Sequence, residues 1–305
     1  MRRYPPSDTH SDALGARSIA PRDLAHDCLA PDLPTHHMQS DRDVRAAACG
    51  DVASERWADT SMSAGSVVIG CFRDPAGSAL VAGDVIVVVD VVRATTTAVT
   101  AVAQGRRCFT APSVAAARRR AALLEQPLLA GEIGGVVPAG FELNNSPAAI
   151  AARTDVERPL VLVSSSGTPL IHAAALSGTV FLGSLRNARY LGLWLADRHA
   201  RVAIVAAASH GEFREEDRVC CALIAGELLD AGYTPEDGST AALVRRWRTA
   251  SPDAWLGSKS VHYLRTSGQL ADLDFILANQ DDLPDVFQLH HGEVIAVPSR
   301  VALPA

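Results

Sequence analysis

The chain has 305 residues and a single lysine, Lys259, so its basic side chains are almost all arginine. A nucleotide-binding P-loop needs Gly-Lys-Ser/Thr and is excluded, as is any Schiff-base lysine other than Lys259. The six cysteines (Cys28, Cys49, Cys71, Cys108, Cys220 and Cys221) form no CxxC pair, and adjacent residues 220 and 221 point in different directions on a helix. Neither a zinc site nor a disulfide framework is expected, which fits a reducing, cytoplasmic setting. No apolar run approaches the ~20 residues of a membrane helix, and the N-terminus lacks the apolar core of a signal peptide. No GxGxxG follows a strand, which argues against a nicotinamide dehydrogenase, and no repeat recurs at solenoid periods. A net charge of −6 makes nucleic acid an unexpected partner.

What is present is an ordinary globular composition, 48% hydrophobic and 20% charged, sufficient for one large α/β domain or two small ones. Residues 1–64 stand apart. They are rich in Asp, Arg, His, Ser and Pro without periodicity and read as a poorly ordered extension. Its histidines (His10, His26, His36, His37) read as solvated rather than metal-binding. Met62 opens a stretch that looks like a natural domain start, and the α/β domain is expected over 65–300.

Within that domain, Val85 to Val89 is a β-branched run of the kind that forms a strand buried on both faces. Asp90 ends it, Arg93 follows, and Ala94 with three threonines opens a helix. Open α/β sheets place ligands at the C-terminal ends of their strands, and unpaired amides at helix N-termini favour anions. Further strands are expected at Ser66–Phe72, Arg107–Ala111, Leu128–Ala130, Pro159–Val163, Thr179–Leu182 and Arg201–Ala208. Helices are expected at Val114–Leu124, after Pro147, at Leu170–Leu176, from Asn187, and from about Glu215 to Leu229. The stretch from Gly238 to Leu270 reads as helical, and Glu293–Val297 as an edge strand. Gly131 to Pro147 carries four glycines, two prolines and two asparagines; it reads as a long ordered loop, which in a compact domain points to function.

This recurrence of strand, loop and helix implies an α/β layered fold with a largely parallel sheet flanked by helices. Four loops are expected to converge at one edge: Asp90/Arg93/Thr95, Glu132, Ser164–Thr168, and His210–Asp217. Carboxylates with hydroxyls and Arg suit Mg²⁺ and a phosphate group. A structural explanation stands beside each feature. Asp90 also reads as a turn residue, and Thr95 or Thr96 as a helix cap. Ser164–Thr168 also reads as a cap cluster, and the acids of 215–217 as complements of a helix dipole.

Taken together, DVVRATTT at 90–97, GE at 131–132, GFELNNSP at 140–147, SSSGT at 164–168, GSLRN at 183–187 and HGEFREED at 210–217 closely resemble the 2-phosphosulfolactate phosphatase family. The resemblance covers about 66 to 298. It implies an α/β fold and Mg²⁺-dependent hydrolysis of 2-phosphosulfolactate to sulfolactate and phosphate, a step in coenzyme M biosynthesis. This chain departs from the family pattern at three places. Ser164-Ser165-Ser166-Gly167-Thr168 stands for Thr-Thr-Asn-Gly-Thr, GFELNNSP for GFDLGNSP, and Ala208-Ser209 for Ala-Gly. Ser166 offers a shorter hydroxyl than the Asn amide, and Asn144 is read as tolerating the backbone angles of the glycine it replaces.

The expected reaction is hydrolysis of a small acidic phosphomonoester; the alternative is a module that binds such a ligand without turnover. Asp90, Glu132 and Asp217 are expected as metal ligands or catalytic carboxylates, with Glu216 in reserve and Asp90 either ligand or nucleophile. Arg93, Thr95, Thr96, Ser164, Ser165, Ser166, Gly167 and Thr168 are expected to hold phosphate. Arg186 and Asn187 should orient the rest of the substrate, and His210 is a candidate proton donor. The expected partner is a small phosphorylated acid, with no membrane or nucleic acid, and a homodimer is the default assembly.

Overall fold

The computed structural model describes residues 65–72, 85–208, 212–299, 301 and 303. The chain divides into two units, Met1–Ala58 and Asp59–Ala305, and every described residue belongs to the second. The extension read over 1–64, with its four histidines, lies outside the described residues, as does His210.

Ten strands form one sheet: β1 Ser66–Cys71, β2 Val85–Val89, β3 Cys108–Thr110, β4 Leu128–Gly131, β5 Leu160–Val163, β6 Thr179–Gly183, β7 Arg201–Ala206, β8 Thr234–Pro235, β9 Val286–His290 and β10 Glu293–Val297. Their order is β4-β5-β3-β10-β9-β6-β2-β7-β1-β8. The sheet is mostly parallel, as the sequence implies. The pairings of β10 with β3, β10 with β9, and β9 with β6 are antiparallel. These three reversals make the parallel block β4-β5-β3 run opposite to the block β6-β2-β7-β1-β8. Glu293–Val297 is therefore not an edge strand. The hairpin it forms with β9 lies between the two blocks, where it joins two sheet halves that cannot pair in parallel.

Nine helices pack on this sheet among the described residues: α1 Ala94–Ala103, α2 Val114–Ala121, α3 Pro147–Ala151, α4 Gly167–Ala174, α5 Ala188–Ala196, α6 Glu215–Asp230, α7 Gly238–Trp247, α8 Lys259–Thr266 and α9 Leu270–Ala278. None is long and apolar enough to cross a membrane. The single helical stretch expected from Gly238 to Leu270 is broken. Pro252 holds the preceding Ser251 in extended backbone, and Ser258 caps a new helix by accepting from Val261 N.

The strand period of two sorts β2 cleanly. Val85, Val87 and Val89 face a core shared with α5, α6 and α7, while Ile86 and Val88 face one shared with α1 and α4. The second core also holds Leu128, Ala130, Leu160 and Leu162 from the opposite block, so both blocks close over α1 and α4. This explains the composition of α1, ATTTAVTAVA, whose residues 94–101 are all buried. A helix enclosed on every side needs small residues all round. Its threonines are satisfied inside the fold: Thr96, Thr97 and Thr100 donate to the carbonyls of Val91, Arg93 and Thr96 at 2.8, 2.9 and 2.7 Å, and Thr97 Oγ1 also lies 2.8 Å from Asn145 O.

Such a helix has no room to grow. Ala98→Leu is expected to lower the unfolding free energy by about 1–3 kcal/mol through overpacking, while Leu123→Ala, at an exposed position, leaves it within about 0.5 kcal/mol. Urea denaturation of the two variants checks this.

Candidate active site

Where β2 ends, Asp90 enters a cavity of about 700 Å³. Its walls carry four carboxylates, Asp90, Glu132, Glu216 and Asp217, and three cations, Arg93, Arg214 and Lys259. Ser165 and Ser166 complete the floor near α4. The carboxylates come from β2, the β4 exit loop and the first turn of α6, so the convergence of these loops read from the sequence is present.

Asp90, Glu216 and Asp217 are all buried. Burial pushes the Asp90 carboxyl from 3.8 up to about 7; Glu132 and Glu216 push the same way, while the Ala94 amide and Arg93 oppose them. Asp217 is raised well above its ordinary value by burial, then by repulsion from Glu216 and Asp90, although Val91 N donates to its Oδ1 at 2.8 Å. Glu216 is raised by burial against the hydroxyls of Ser260 and Ser258. Its Oε2 is buried and has no hydrogen-bond partner. Removing carboxylates from water without pairing them costs free energy that hydrogen bonds return only in part.

Glu132 is differently employed. Ser165 N and Ser165 Oγ donate to its two oxygens at 2.8 Å each, and Gly135 N donates to Oε2 at 2.8 Å. It thus ties the long loop to the start of α4. Gly167 opens α4 directly against Asp90, since a β-carbon placed there would lie 2.2 Å from Asp90 Oδ2. Only glycine leaves space for that carboxylate.

Arg93 lines the cavity, but its guanidinium is fixed from behind. Nη1 pairs with Asp272 at 2.6 Å and also donates to Gln269, and Nη2 donates to Asn144 Oδ1 at 3.0 Å. Asp272 also accepts from Ser146 Oγ and Ala148 N, so α9 holds both Arg93 and the start of α3. The Val92–Arg93 peptide is cis. Asn144 does not have positive φ, which corrects the expectation for that position. Its side chain instead bridges Arg93 and Gln269.

Several expected phosphate-binding groups turn away from the cavity. Thr95 Oγ1 donates to Asp90 O and accepts from Asp90 N, and Thr96 bonds Val91 O. Ser164 and Thr168 exchange bonds with each other's backbone. Asn187 accepts from Ser184 N and Oγ, and Arg186 pairs with Asp282 and donates to Thr100 Oγ1. At Thr95, Thr96, Ser164 and Thr168 the short hydroxyl bonds the nearest backbone group first, while Arg186 is held by the Asp282 carboxylate. Arg214, Lys259, Ser260 and Tyr263 reach the cavity without having been read from the sequence. The available signals were the lone lysine and the place of Arg214 inside the HGEFREED stretch.

Among the described residues no group of three or more His, Cys, Asp or Glu converges as a metal cage. Mg²⁺ does not require one. It takes one or two carboxylates and completes its shell with water and substrate oxygens. Hard oxygen donors and the orphaned Oε2 of Glu216 fit such a cation.

A family model described as 2-phosphosulpholactate phosphatase matches residues 75–291. Three similar proteins each carry the name "Probable 2-phosphosulfolactate phosphatase". The one from Deinococcus radiodurans is 34% identical over 63% of this chain and 82% of its own length. That from Thermus thermophilus is 35% identical over 65% and 85%. That from Symbiobacterium thermophilum is 37% identical over 51% of this chain and 66% of its own.

The raised Asp90 carboxyl makes stability pH-dependent. In the metal-free protein its proton is retained up to about 7, whereas the unfolded chain loses it near 3.8. Stability is therefore fullest below the lower value and falls as pH rises through the higher one. Asp90→Asn removes this liability. In EDTA it is expected to stabilise the protein by on the order of 2 kcal/mol at about pH 8, with the gain vanishing near pH 4. Thermal denaturation across pH measures it.

Proposed function

Because the chain belongs to the 2-phosphosulfolactate phosphatase family, we propose that it hydrolyses a small acidic phosphomonoester with the help of Mg²⁺, and that 2-phosphosulfolactate, yielding sulfolactate and phosphate, is its substrate. The observation that carries this reading is the single cavity in which buried carboxylates face a fixed guanidinium. Phosphoryl transfer asks mainly for positioning and charge stabilisation, and both kinds of charge are needed for it.

One or two of Asp90, Glu216 and Asp217 would hold the cation, with water and substrate oxygens completing its shell. When bound, the cation would supply charge neutralisation for the phosphoryl group. Arg93 supplies fixed donors to the phosphoryl group, because Asp272, Gln269 and Asn144 prevent its reorientation. Ser166, at the N-cap of α4, makes no side-chain capping bond and lines the cavity. It stands where the unpaired amides of the first turn favour an anion. Glu132 keeps the loop of 131–147 closed against Ser165.

Phosphate release from a panel of small phosphorylated acids tests the reading. Release from 2-phosphosulfolactate should require Mg²⁺ and stop in EDTA. Asp90→Asn should lower kcat by about 100-fold or more with the fold intact. Near-normal turnover in that variant would remove Asp90 from the chemistry. Phosphate binding without release from any ester would instead assign a ligand-binding module.

A further inference from the structure

Besides Arg93, the cavity wall carries two further cations. Arg93 is committed from behind to Asp272. Two other cations come from separate elements: Arg214 is the N-cap residue of α6, and Lys259 is the first residue of α8. Both converge on one carboxylate. Glu212 Oε2 accepts from Arg214 Nη1 at 2.7 Å, and Lys259 Nζ stands 2.6 and 2.7 Å from Glu212 Oε1 and Oε2. An anion is thus already held between an arginine and a lysine at the cavity wall.

We propose that Arg214 and Lys259 form the subsite for the substrate's second acidic group, a carboxylate or sulfonate, and that Glu212 occupies it as a stand-in anion until substrate arrives. The assignment rests on the hydrolase reading for the phosphoryl end.

Ser260 contacts the carboxylate of Glu216, while its chain neighbour Lys259 contacts Glu212. The carboxylate centre and the clamp are therefore reached by adjacent residues of α8. Exchange at the lysine is also cheap. Half of the Glu212 side chain and 70% of that of Lys259 are exposed, so this half of the clamp holds little net free energy because water competes for both partners, while Arg214, at 9% exposure, is the buried half that keeps its need for an anion. An incoming carboxylate or sulfonate offers the two cations the same donor–acceptor chemistry, and Glu212 is released to solvent.

Calorimetric titration of sulfolactate, which has the second anion but no phosphate, tests the subsite without relying on turnover. Lys259→Met should weaken its binding by about 10-fold or more, Lys259→Arg should retain most of it, and Glu212→Gln should tighten it by about 3-fold. In turnover, Lys259→Met should reduce the ratio of kcat/KM for 2-phosphosulfolactate over glycerol 2-phosphate by about 30-fold. Unchanged binding and an unchanged ratio in Lys259→Met would overturn the subsite. Weakening by Glu212→Gln equal to that of Lys259→Met would overturn the stand-in role, leaving Glu212 as a support for the lysine. The two readings fail separately. No phosphate release by the wild type, with lysine-dependent sulfolactate binding, removes the hydrolase reading and keeps the subsite. Normal turnover with an insensitive binding series does the reverse.

Discussion

Three carboxylates buried against one cavity repel one another, and the surrounding structure is arranged to keep them there. Asp90 closes the central strand, while Glu216 and Asp217 open α6. Each is given something in return for lost hydration: the Ala94 amide for Asp90, Val91 N for Asp217, and the hydroxyls of α8 for Glu216. Gly167 contributes by having no side chain. Burial still dominates, as the raised carboxyls show, so the pocket is left with an unmet demand for positive charge. A divalent cation, as proposed for this site, answers that demand, and the orphaned Oε2 of Glu216 is where the shortfall is most visible.

The architecture supplies the burial. Closure of two opposed parallel blocks over α1 and α4 backs the turn between β2 and α1 and leaves its other side to the cavity. Arg93 sits in that turn, and its ion pair with Asp272 is nearly sealed from solvent at 3% and 2% exposure. Such a pair contributes little net stability over an apolar equivalent, but losing one partner strands the other charge. Its consequence is positional. It holds the guanidinium, the start of α3 and α9 in one arrangement around the cavity.

Much of this was legible in the chain. The β-branched run from Val85 to Val89 and the carboxylate that ends it locate the sheet's centre and the cavity together, because burial on both faces and a strand-end ligand site both leave a mark in sequence. The motifs around Glu132, Ser165 and Asp217 fall in the same cavity for the same reason. Hydroxyl direction was not legible. Thr95 and Ser165 have similar side chains, yet one bonds its own turn and the other a carboxylate across the site, a choice made by tertiary packing. The place of β10 also escaped local reading, because an isolated five-residue strand carries no sign of which partners it joins. Asn144 was read for its backbone tolerance, while its amide is what reaches Arg93. Lys259 lies outside every motif, and Arg214 sits in the HGEFREED stretch without being singled out; their meeting at Glu212 gives them meaning.

The central claim is that the buried carboxylates await a cation. Titration of Mg²⁺ into EDTA-stripped protein at about pH 7, repeated in two buffers of different ionisation enthalpy, tests it most directly. Carboxyls that keep protons because they are buried must give them up to bind a metal. Saturable binding with net proton release, reduced in Asp90→Asn, is the predicted result. Binding without proton release, or no binding by a folded protein, would contradict the account.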